Sequence, residues 1–507
     1  MEAIMEKVAE INGVVNSFIW GAPGLVLILG AGLLLTIFTK VFQITNLKQW
    51  WKTTVGSMFD KSTHGESKDD KKAVSVFKAV CTALAATVGT GNIAGVATAI
   101  VIGGPGAVFW MWIAAFLGMM TKFSEIVLGV YFRRRGANGE WSGGPMYILK
   151  DGLGKKKGFK TIATVLAVLF SVFTILASFG IGNMSQVNNI VANFESAFFS
   201  GMSWNMGGVD MIGLFICIAL LIVTALIVLG GMKRIASAAE ILVPFMAAGY
   251  IILGLIVVAC NYDMIIPAIT SIFKFAFSAE AIAGGAIGTV IIQGCKRGVF
   301  SNEAGLGSAV LAHATADTKE PIKQGMWGIF EVFFDTIVIC SMTAFIVLTS
   351  GLIDLNTGLA VEGIDPAILT SMAFGNIFGK PGEWFAAIAM FLFAYTTVLG
   401  WSHYGAKAVE HLFGTKVVIV YRVIFVLLIL TGALMSFSLA LDLSDTFNGL
   451  MMIPNLIGVI AMLPLVVKLT KNYVNRKIKN IDEVPMLSYD KDIEAQYIAE
   501  MAQEAAK

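Results

Sequence analysis

The residues best suited to chemistry lie in a glycine-rich stretch, residues 87–95, which reads Thr-Val-Gly-Thr-Gly-Asn-Ile-Ala-Gly inside an apolar segment. Each of its glycines weakens a helix by about 1 kcal/mol relative to alanine. A helix unwound in lipid leaves N–H and C=O groups unpaired, which is tolerated only where they line a cavity or meet a ligand. Freed N–H groups suit a carboxylate, and freed carbonyls suit a cation. The stretch therefore predicts a site for a carboxylate compound and a co-bound cation, with close helix packing as the alternative.

Polar side chains in two other apolar segments are candidates to complete this site. Asn183 and Gln186 lie in one of them. Their amides either bond helix to helix or, for Gln186, reach a bound molecule. Thr396 and Thr397 lie in another segment, with Trp401 one turn further along. Adjacent hydroxyls are plausible sodium ligands because hard cations take neutral oxygens, although the same hydroxyls can instead bond to their own helix backbone.

Two carboxylates, Glu331 and Asp335, are four residues apart and therefore share one face of an apolar helix. Carboxylates inside a membrane are functional hypotheses by default. Glu331 is within the first turns of its segment, so we expect water to solvate it. Asp335 is the stronger candidate, either for a proton relay or for a structural polar network.

The composition limits the class of protein. Hydrophobic residues make up 57% of the 507 residues and charged residues only 14%, whereas soluble domains carry about 25% charged residues. These values exclude an ordinary soluble enzyme and predict an all-α polytopic membrane protein. The net charge of +2 gives no sign of a nucleic-acid partner. The five cysteines form no Cys-x-x-Cys pair and the four histidines show no metal-site spacing, so we predict no cofactor and no metal other than sodium.

Apolar segments of about 20 residues, the length that crosses a bilayer, occur eleven times. The predicted transmembrane helices are residues 18–38, 79–102, 106–130, 161–190, 211–230, 236–260, 279–298, 326–350, 384–405, 417–437 and 446–468. With the N-terminus outside and the C-terminus in the cytoplasm, 32 of the 36 lysines and arginines lie in cytoplasmic segments and Lys122 lies near the inner end of its helix. Only Lys7, Lys274 and Lys380 lie outside. This asymmetry is the signature of cytoplasmic loops and predicts a multi-pass protein of the cell membrane.

A second glycine-rich stretch, Gly284-Gly285-Ala286-Ile287-Gly288, followed by Gln293-Gly294, interrupts the seventh helix. If the first helix is set aside, the interrupted helices are the first and sixth of ten. An offset of five inverts the topology of the second set, which is typical of inverted-repeat secondary transporters. We therefore predict an N-terminal segment with the extra helix (1–78), two repeats of five helices (79–260 and 261–470), and a polar, mobile cytosolic tail (471–507).

Several strings of residues resemble one known family. They are Thr-Gly-Asn-Ile-Ala-Gly-Val-Ala-Thr-Ala (90–99), Thr-Lys-Phe-Ser-Glu (121–125), Gly-Gly-Pro-Met-Tyr (143–147), Gly-Ile-Gly-Asn-Met (180–184), Arg-Gly-Val-Phe-Ser-Asn-Glu-Ala-Gly-Leu-Gly-Ser-Ala (297–309), Thr-Val-Leu-Gly-Trp-Ser (397–402) and Ile-Pro-Asn-Leu-Ile-Gly (453–458). In this order they resemble the alanine or glycine:cation symporter family, over residues 10 to 470. The resemblance implies the leucine-transporter-type fold, with a ten-helix inverted-repeat core.

The resemblance also implies roles for individual residues. Thr90 and Gly91 would receive the substrate carboxylate, Gln186 would lie near the bound amino acid, Trp401 would help to close the pocket, and Gln293 would tune substrate size. Similarity to the wider fold implies one sodium ion held by the backbone carbonyls of Ala85, Val88 and Phe393 and the hydroxyls of Thr396 and Thr397. Asn92 would contribute to a second cation site, and Asp335 is a candidate for the same site or for a proton site.

These observations favour sodium-coupled symport of a small neutral amino acid, such as alanine or glycine, by alternating access across the lipid bilayer. One alternative is proton-coupled symport that uses Asp335. A channel and a membrane enzyme are further alternatives. A channel predicts a continuous polar stripe, whereas the polar residues cluster near mid-depth, and an enzyme predicts a nucleophile–base or metal constellation that the spans do not contain.

Overall fold

The computed structural model describes residues 2–58, 60, 73–136, 139–206, 209–277, 286–433 and 437–505. The helices up to residue 260 are α1 (Glu2–Ile19), α2 (Ala22–Phe38), α3 (Phe42–Thr45), α4 (Leu47–Thr53), α5 (Val76–Thr87), α6 (Val96–Gly103), α7 (Ala107–Tyr131), α8 (Pro145–Tyr147), α9 (Lys160–Phe179), α10 (Ser185–Phe198), α11 (Met211–Val228) and α12 (Met232–Cys260). Those that follow are α13 (Ile265–Ala276), α14 (Ala286–Asn302), α15 (Val310–His313), α16 (Pro321–Val332), α17 (Ser341–Thr349), α18 (Leu369–Phe378), α19 (Lys380–Phe413), α20 (Val418–Leu427), α21 (Phe437–Ala461), α22 (Leu463–Lys477) and α23 (Lys491–Ala505).

Shorter elements connect these helices. Wide π-helical turns cover Gly91–Gly95, Ile148–Gly152, Gly180–Met184 and Phe333–Cys340, and 3₁₀ turns cover Val55–Ser57, Leu153–Lys155, Tyr262–Met264, Thr415–Val417 and Leu428–Ala433. Two antiparallel hairpins lie in loops: β1 (Arg134–Arg135) pairs with β2 (Trp141–Ser142), and β3 (Asn205–Met206) pairs with β4 (Val209–Asp210). Polar side chains cap the N-termini of some helices. At the start of α11, for example, the Asp210 carboxylate accepts hydrogen bonds from the Ile212 and Gly213 N–H groups at 3.1 and 2.9 Å.

Membrane-spanning helices dominate the molecule. In the described part of the chain, eight helices are long and apolar enough to cross a bilayer, and two bent helix pairs raise that number to ten. These ten correspond to ten of the eleven predicted helices. The other, 279–298, begins outside the described residues and continues as α14. The all-α membrane architecture is therefore confirmed, while the number eleven stays a prediction.

The first predicted interruption is present. Helix α5 ends at Thr87, Val88 has the extended conformation φ −82°, ψ 93°, and the axis changes direction by 48° before it continues through α6. All residues from Ala79 to Ala99 are buried. The glycine-rich stretch thus breaks its helix inside the protein, where the unpaired backbone meets other protein groups and not lipid.

A helix break that we did not predict follows α14, whereas the predicted interruption begins outside the described residues. Gly284 and Gly285 lie outside the described residues, and residues 286–302 form continuous helix. The chain then leaves the helical conformation from Glu303 to Ala309, where Glu303 (φ +57°), Gly305 (φ +97°) and Gly307 (φ +75°) adopt left-handed conformations. This irregular segment is fully buried. A Cβ at Gly307 would lie 2.5 Å from Pro145, so the position requires glycine for two reasons.

The polar tail is not a mobile extension, which corrects our expectation. The tail packs on the body through Leu487, which precedes helix α23, and Tyr497 within the helix; both are buried in one cluster with Ala73 and Trp141. The Tyr497 hydroxyl accepts a hydrogen bond from Arg133 Nη2 at 2.9 Å. The expectation rested on the polar composition of the whole tail, which does not reveal these two residues. A helix can pack on the body through a single apolar stripe.

Candidate functional site

The break between α5 and α6 brings two helices into close contact. Gly89 packs so tightly against α19 that a Cβ there would lie 2.2 Å from Thr397 Oγ1. The last helical hydrogen bond before the break joins Val88 N to Leu84 O at 2.7 Å. Beyond it, the Gly89 N–H donates to Asn92 Oδ1 at 2.8 Å. A side chain of the next turn therefore replaces the backbone acceptor that the break removes.

Oxygen atoms of four of the five predicted sodium ligands lie close together at this point. Thr397 Oγ1 lies 3.1 Å from Ala85 O and 3.1 Å from Phe393 O. Thr396 Oγ1 lies 3.0 Å from the same Phe393 carbonyl. Val88, the other predicted ligand, is buried one turn after Ala85. The result is a cluster of neutral oxygens from two helices, the kind of donor set that a hard monovalent cation takes.

On the other side of the break, the predicted substrate residues lie around the Thr90 backbone. The Thr90 N–H donates to Gln186 Oε1 at 3.2 Å, and Gln186 Nε2 donates to Ile181 O at 2.8 Å. Gly91 faces α14: a Cβ there would lie 3.1 Å from both Phe300 Cδ1 and Ser301 Cα. The structure therefore brings Thr90, Gly91 and Gln186 together, and Phe300 with Ser301 forms the facing wall.

Trp401 lies one turn beyond Thr397 in α19. A Cβ at Gly182 would lie 2.4 Å from Trp401 Cβ, so the π-helical turn after α9 packs directly on the indole. Trp401 Nε1 donates to Glu303 Oε1 at 2.8 Å, and the second oxygen of Glu303 accepts the Ser308 hydroxyl. Sequence reasoning missed Glu303, because a charged residue beyond the apolar run reads as a loop.

Asn92 and Asp335, the candidate second cation or proton site, are in contact. Asn92 Nδ2 donates to Asp335 Oδ1 at 2.6 Å. The other carboxylate oxygen accepts the Ser301 and Thr336 hydroxyls, each at 2.8 Å. Through these bonds one carboxylate connects the first interrupted helix, by Asn92, with α14, by Ser301. Asp335 lies in the π-helical turn at Phe333–Cys340. Such turns are rare and are frequently found at functional sites.

A buried ion-pair network lies next to Asp335, and it corrects our expectation for Glu331. Glu331 is fully buried; one oxygen lies 3.1 Å from Lys122 Nζ and the other 2.6 Å from His313 Nε2. Lys122 Nζ also donates to Asn302 O at 2.9 Å and to Thr87 Oγ1 at 3.4 Å. Thr87 and Asn302 end the helices before the two breaks, so the ammonium sits at two helix C-termini, where positive charge is favourable.

Gln293 is not brought together with these residues. Gly103 lies against it: a Cβ at Gly103 would be 3.1 Å from Gln293 Cβ, two turns of α14 away from Ser301. Its Oε1 is buried and has no hydrogen-bond partner among the described residues. A role for Gln293 in substrate size stays a prediction.

Comparison with known proteins identifies the family to which this chain belongs. The profile of the sodium:alanine symporter family matches residues 5–486. The sodium/alanine symporter AgcS of Methanococcus maripaludis is 44% identical and aligns over 92% of this chain and 98% of its own length. The probable sodium/glutamine symporter GlnT of Bacillus subtilis is 36% identical over 96% and 94% of the two chains. The putative sodium/proton-dependent alanine carrier protein YrbD, also of B. subtilis, is 34% identical over 94% of each.

Among solved structures, MhsT in complex with L-phenylalanine superposes with a TM-score of 0.56 at 15% identity, covering 79% of this chain and 99% of the other. This likeness shows the leucine-transporter-type fold. The family profile and the relatives named as symporters define a secondary amino-acid transporter of the membrane, not an enzyme. More narrowly, the chain belongs to the sodium:alanine symporter family.

Proposed function

We propose that this protein couples the inward movement of sodium to uptake of a small neutral amino acid by alternating access. One observation carries the proposal: the Thr90 N–H, freed by the helix break, points to the side-chain carbonyl oxygen of Gln186 at 3.2 Å. A carboxylate oxygen is a stronger acceptor of the same type. The substrate carboxylate takes the Thr90 and Gly91 N–H groups, and the Gln186 amide moves aside to contact the bound molecule.

The coupling ion in this proposal occupies the oxygen cluster formed by Ala85, Val88, Phe393, Thr396 and Thr397. Sodium bound there connects α5 to α19 and stabilises the interrupted segment to which the substrate binds. Sodium and substrate therefore each favour binding of the other. One sodium ion entering across about 100 mV gains about 2.3 kcal/mol, and a tenfold gradient adds about 1.4 kcal/mol. Together these support roughly 500-fold accumulation of substrate.

The two proposed repeats, residues 79–260 and 261–470, supply the movement, with the N-terminus outside and the C-terminus in the cytoplasm of a cell membrane. Inverted repeats let one half rock against the other around a fixed site near mid-depth. Trp401 closes that site on one side. The lysine and arginine asymmetry supports the orientation.

Uptake of radiolabelled alanine into proteoliposomes tests the proposal. We expect accumulation when a sodium gradient is imposed and little accumulation with a proton gradient alone. Competition by glycine, serine and glutamine then defines the substrate, since relatives named for alanine and for glutamine align over 92% and 96% of this chain. Uptake that ignores sodium would overturn the proposal.

Proton coupling through Asp335 is the second candidate. A buried carboxylate with partners on two interrupted helices is suited to couple its charge to their movement, and one relative is named as sodium/proton-dependent. Under this alternative, a proton gradient drives uptake and Asp335→Asn abolishes it. Under the sodium proposal, a proton gradient drives no uptake in either form.

A further inference from the structure

An apolar groove lies outside the site already described, between the short helix α4 and the body. Its volume is about 820 Å³, within the range of about 300–1,000 Å³ typical of ligand pockets. We call it the Trp50 groove; its lining includes Gln43, Leu47, Trp50, Trp51, Phe116 and Phe333. Phe116 and Phe333 belong to membrane-spanning helices, so the groove opens toward lipid.

Two lysines border this apolar surface. Lys48 and Lys52 line the groove and are exposed, four residues apart on the same face of α4. Neither ammonium has an ion-pair partner in the part of the chain that the structure describes. Trp51 beside them is 43% exposed. An aromatic pair flanked by lysines is the composition found where a protein meets lipid headgroups.

A polar atom inside the groove also lacks a partner. Gln43 is 3% exposed, and its Oε1 accepts no hydrogen bond from any described residue. Its Nε2 faces Phe116 O at 3.4 Å, and its backbone carbonyl accepts Trp50 Nε1 at 2.8 Å. A buried acceptor without a donor costs free energy until a donor arrives, so a turn of the Gln43 amide into the groove would be favoured by a hydroxyl group bound there.

We propose that the Trp50 groove binds one anionic phospholipid with a hydroxyl-bearing headgroup, of the phosphatidylglycerol type. An acyl chain fills the apolar lining between Trp50, Phe116 and Phe333, the phosphate pairs with Lys48 and Lys52, and a headgroup hydroxyl donates to Gln43 Oε1. Phe333 opens the π-helical turn that carries Asp335, and its ring lies 6.2 Å from that of Trp50. The lipid therefore packs against the element that positions the Asp335 carboxylate.

Photocrosslinking tests this site without measuring transport, so its outcome is independent of the proposed function. The purified full-length protein is labelled with a phosphatidylglycerol that carries a diazirine on one acyl chain, and the labelled residues are found by mass spectrometry. We expect saturable labelling of residues 43–52, 116 or 333, which unlabelled phosphatidylglycerol competes and phosphatidylcholine does not. Equal competition by both lipids, or labelling spread over the lipid-facing helices, would overturn the site.

Lysine variants test the headgroup contact. Since one basic residue near a membrane surface contributes about fivefold to the binding of anionic lipid, Lys48→Gln with Lys52→Gln should raise the half-saturating lipid concentration about 25-fold. Lys48→Arg with Lys52→Arg should keep it. The matched control is Lys155→Gln with Lys157→Gln, two exposed lysines outside the groove, which should leave it unchanged. Identical binding by the two glutamine pairs would contradict the proposal.

Discussion

Thr397 is the single residue on which the proposed coupling depends most directly, because its hydroxyl lies between the carbonyls of two helices. We expect Thr397→Ala to raise the sodium concentration for half-maximal uptake by about tenfold, since a bond to a charged group contributes about 1.5–3 kcal/mol. Thr397→Ser keeps the hydroxyl and should stay near the wild-type value. Uptake by proteoliposomes over a series of sodium concentrations gives all the values.

Ser402 provides the control for Thr397. It lies in the same helix and is equally buried, but among the described residues its hydroxyl bonds only within that helix, to Leu399 O at 2.6 Å. Ser402→Ala should therefore leave the sodium dependence unchanged. A parallel shift in Ser402→Ala and Thr397→Ala would mean that loss of any buried hydroxyl from α19 disturbs transport, and Thr397 would lose its assignment as a ligand.

Lys122 and Glu331 form a fully buried ion pair in the site region. Removing one partner of such a pair leaves an uncompensated charge and costs about 3–5 kcal/mol. We expect Lys122→Met to lower the melting temperature of the purified protein strongly. The double variant with Glu331→Leu should recover part of that loss, because it removes both charges.

An exposed pair provides the comparison. Lys380 and Glu383 are 2.6 Å apart, but the lysine side chain is 57% exposed, and exposed pairs contribute only about 0–1 kcal/mol. Lys380→Met should therefore change the melting temperature little.

For the buried pair, one outcome would contradict the prediction. If the losses in melting temperature from Lys122→Met and Glu331→Leu simply add in the double variant, the two side chains are not energetically coupled.

At the scale of elements, the break at Val88 and Gly89 depends on a glycine that lets α5 approach α19. A methyl group at Gly89 would overlap Thr397 Oγ1. We therefore expect Gly89→Ala to abolish uptake while the protein still inserts into the membrane. Gly249→Ala, in α12, is the matched control because open space surrounds that position. Uptake by Gly89→Ala at the level of Gly249→Ala would show that the close approach is not required.

The two breaks also show what a sequence can and cannot predict here. The first was predicted because three glycines and polar residues stand inside an apolar run, and this local pattern weakens any helix. The second lies at Glu303–Ala309, past the apolar run, where Asn302 and Glu303 suggest exposure to water. Only the tertiary structure supplies their partners, Lys122 for the Asn302 carbonyl and Trp401 for Glu303. Residue types were sufficient to predict the cluster around Thr397. The contact between Asp335 and Ser301 could not be predicted from the sequence, because only the fold brings their helices together.

At the scale of the whole molecule, the C-terminal helix α23 connects several loops at one end of the bundle. Its Glu500 lies 3.0 Å from Lys319, in the loop before α16, and Tyr497 bonds to Arg133, in the loop after α7. The same cluster holds Ala73, just before the first interrupted helix. The tail is thus attached to the segment that precedes the first interrupted helix and to two loops of the bundle.

We expect Tyr497→Ala to lower the melting temperature of the full-length protein by several degrees, because burial of a large side chain contributes about 1.5–3 kcal/mol. Tyr262→Ala is the control, since that ring is 75% exposed. Thermal unfolding of the two variants in the same detergent gives the comparison. Equal melting temperatures would contradict a stabilising role for the docked tail.

The position of Lys122 has a consequence for how this protein is made. The ribosome delivers α7 to the membrane long before the carbonyl of Asn302, 180 residues further on, or the carboxylate of Glu331 exists. A lone lysine inside an inserted helix is unfavourable, by up to about 2.5–3.5 kcal/mol at the helix centre. The early part of the chain is therefore in an unfavourable state during translation. Lys122 obtains its partners only after the later helices have been synthesised.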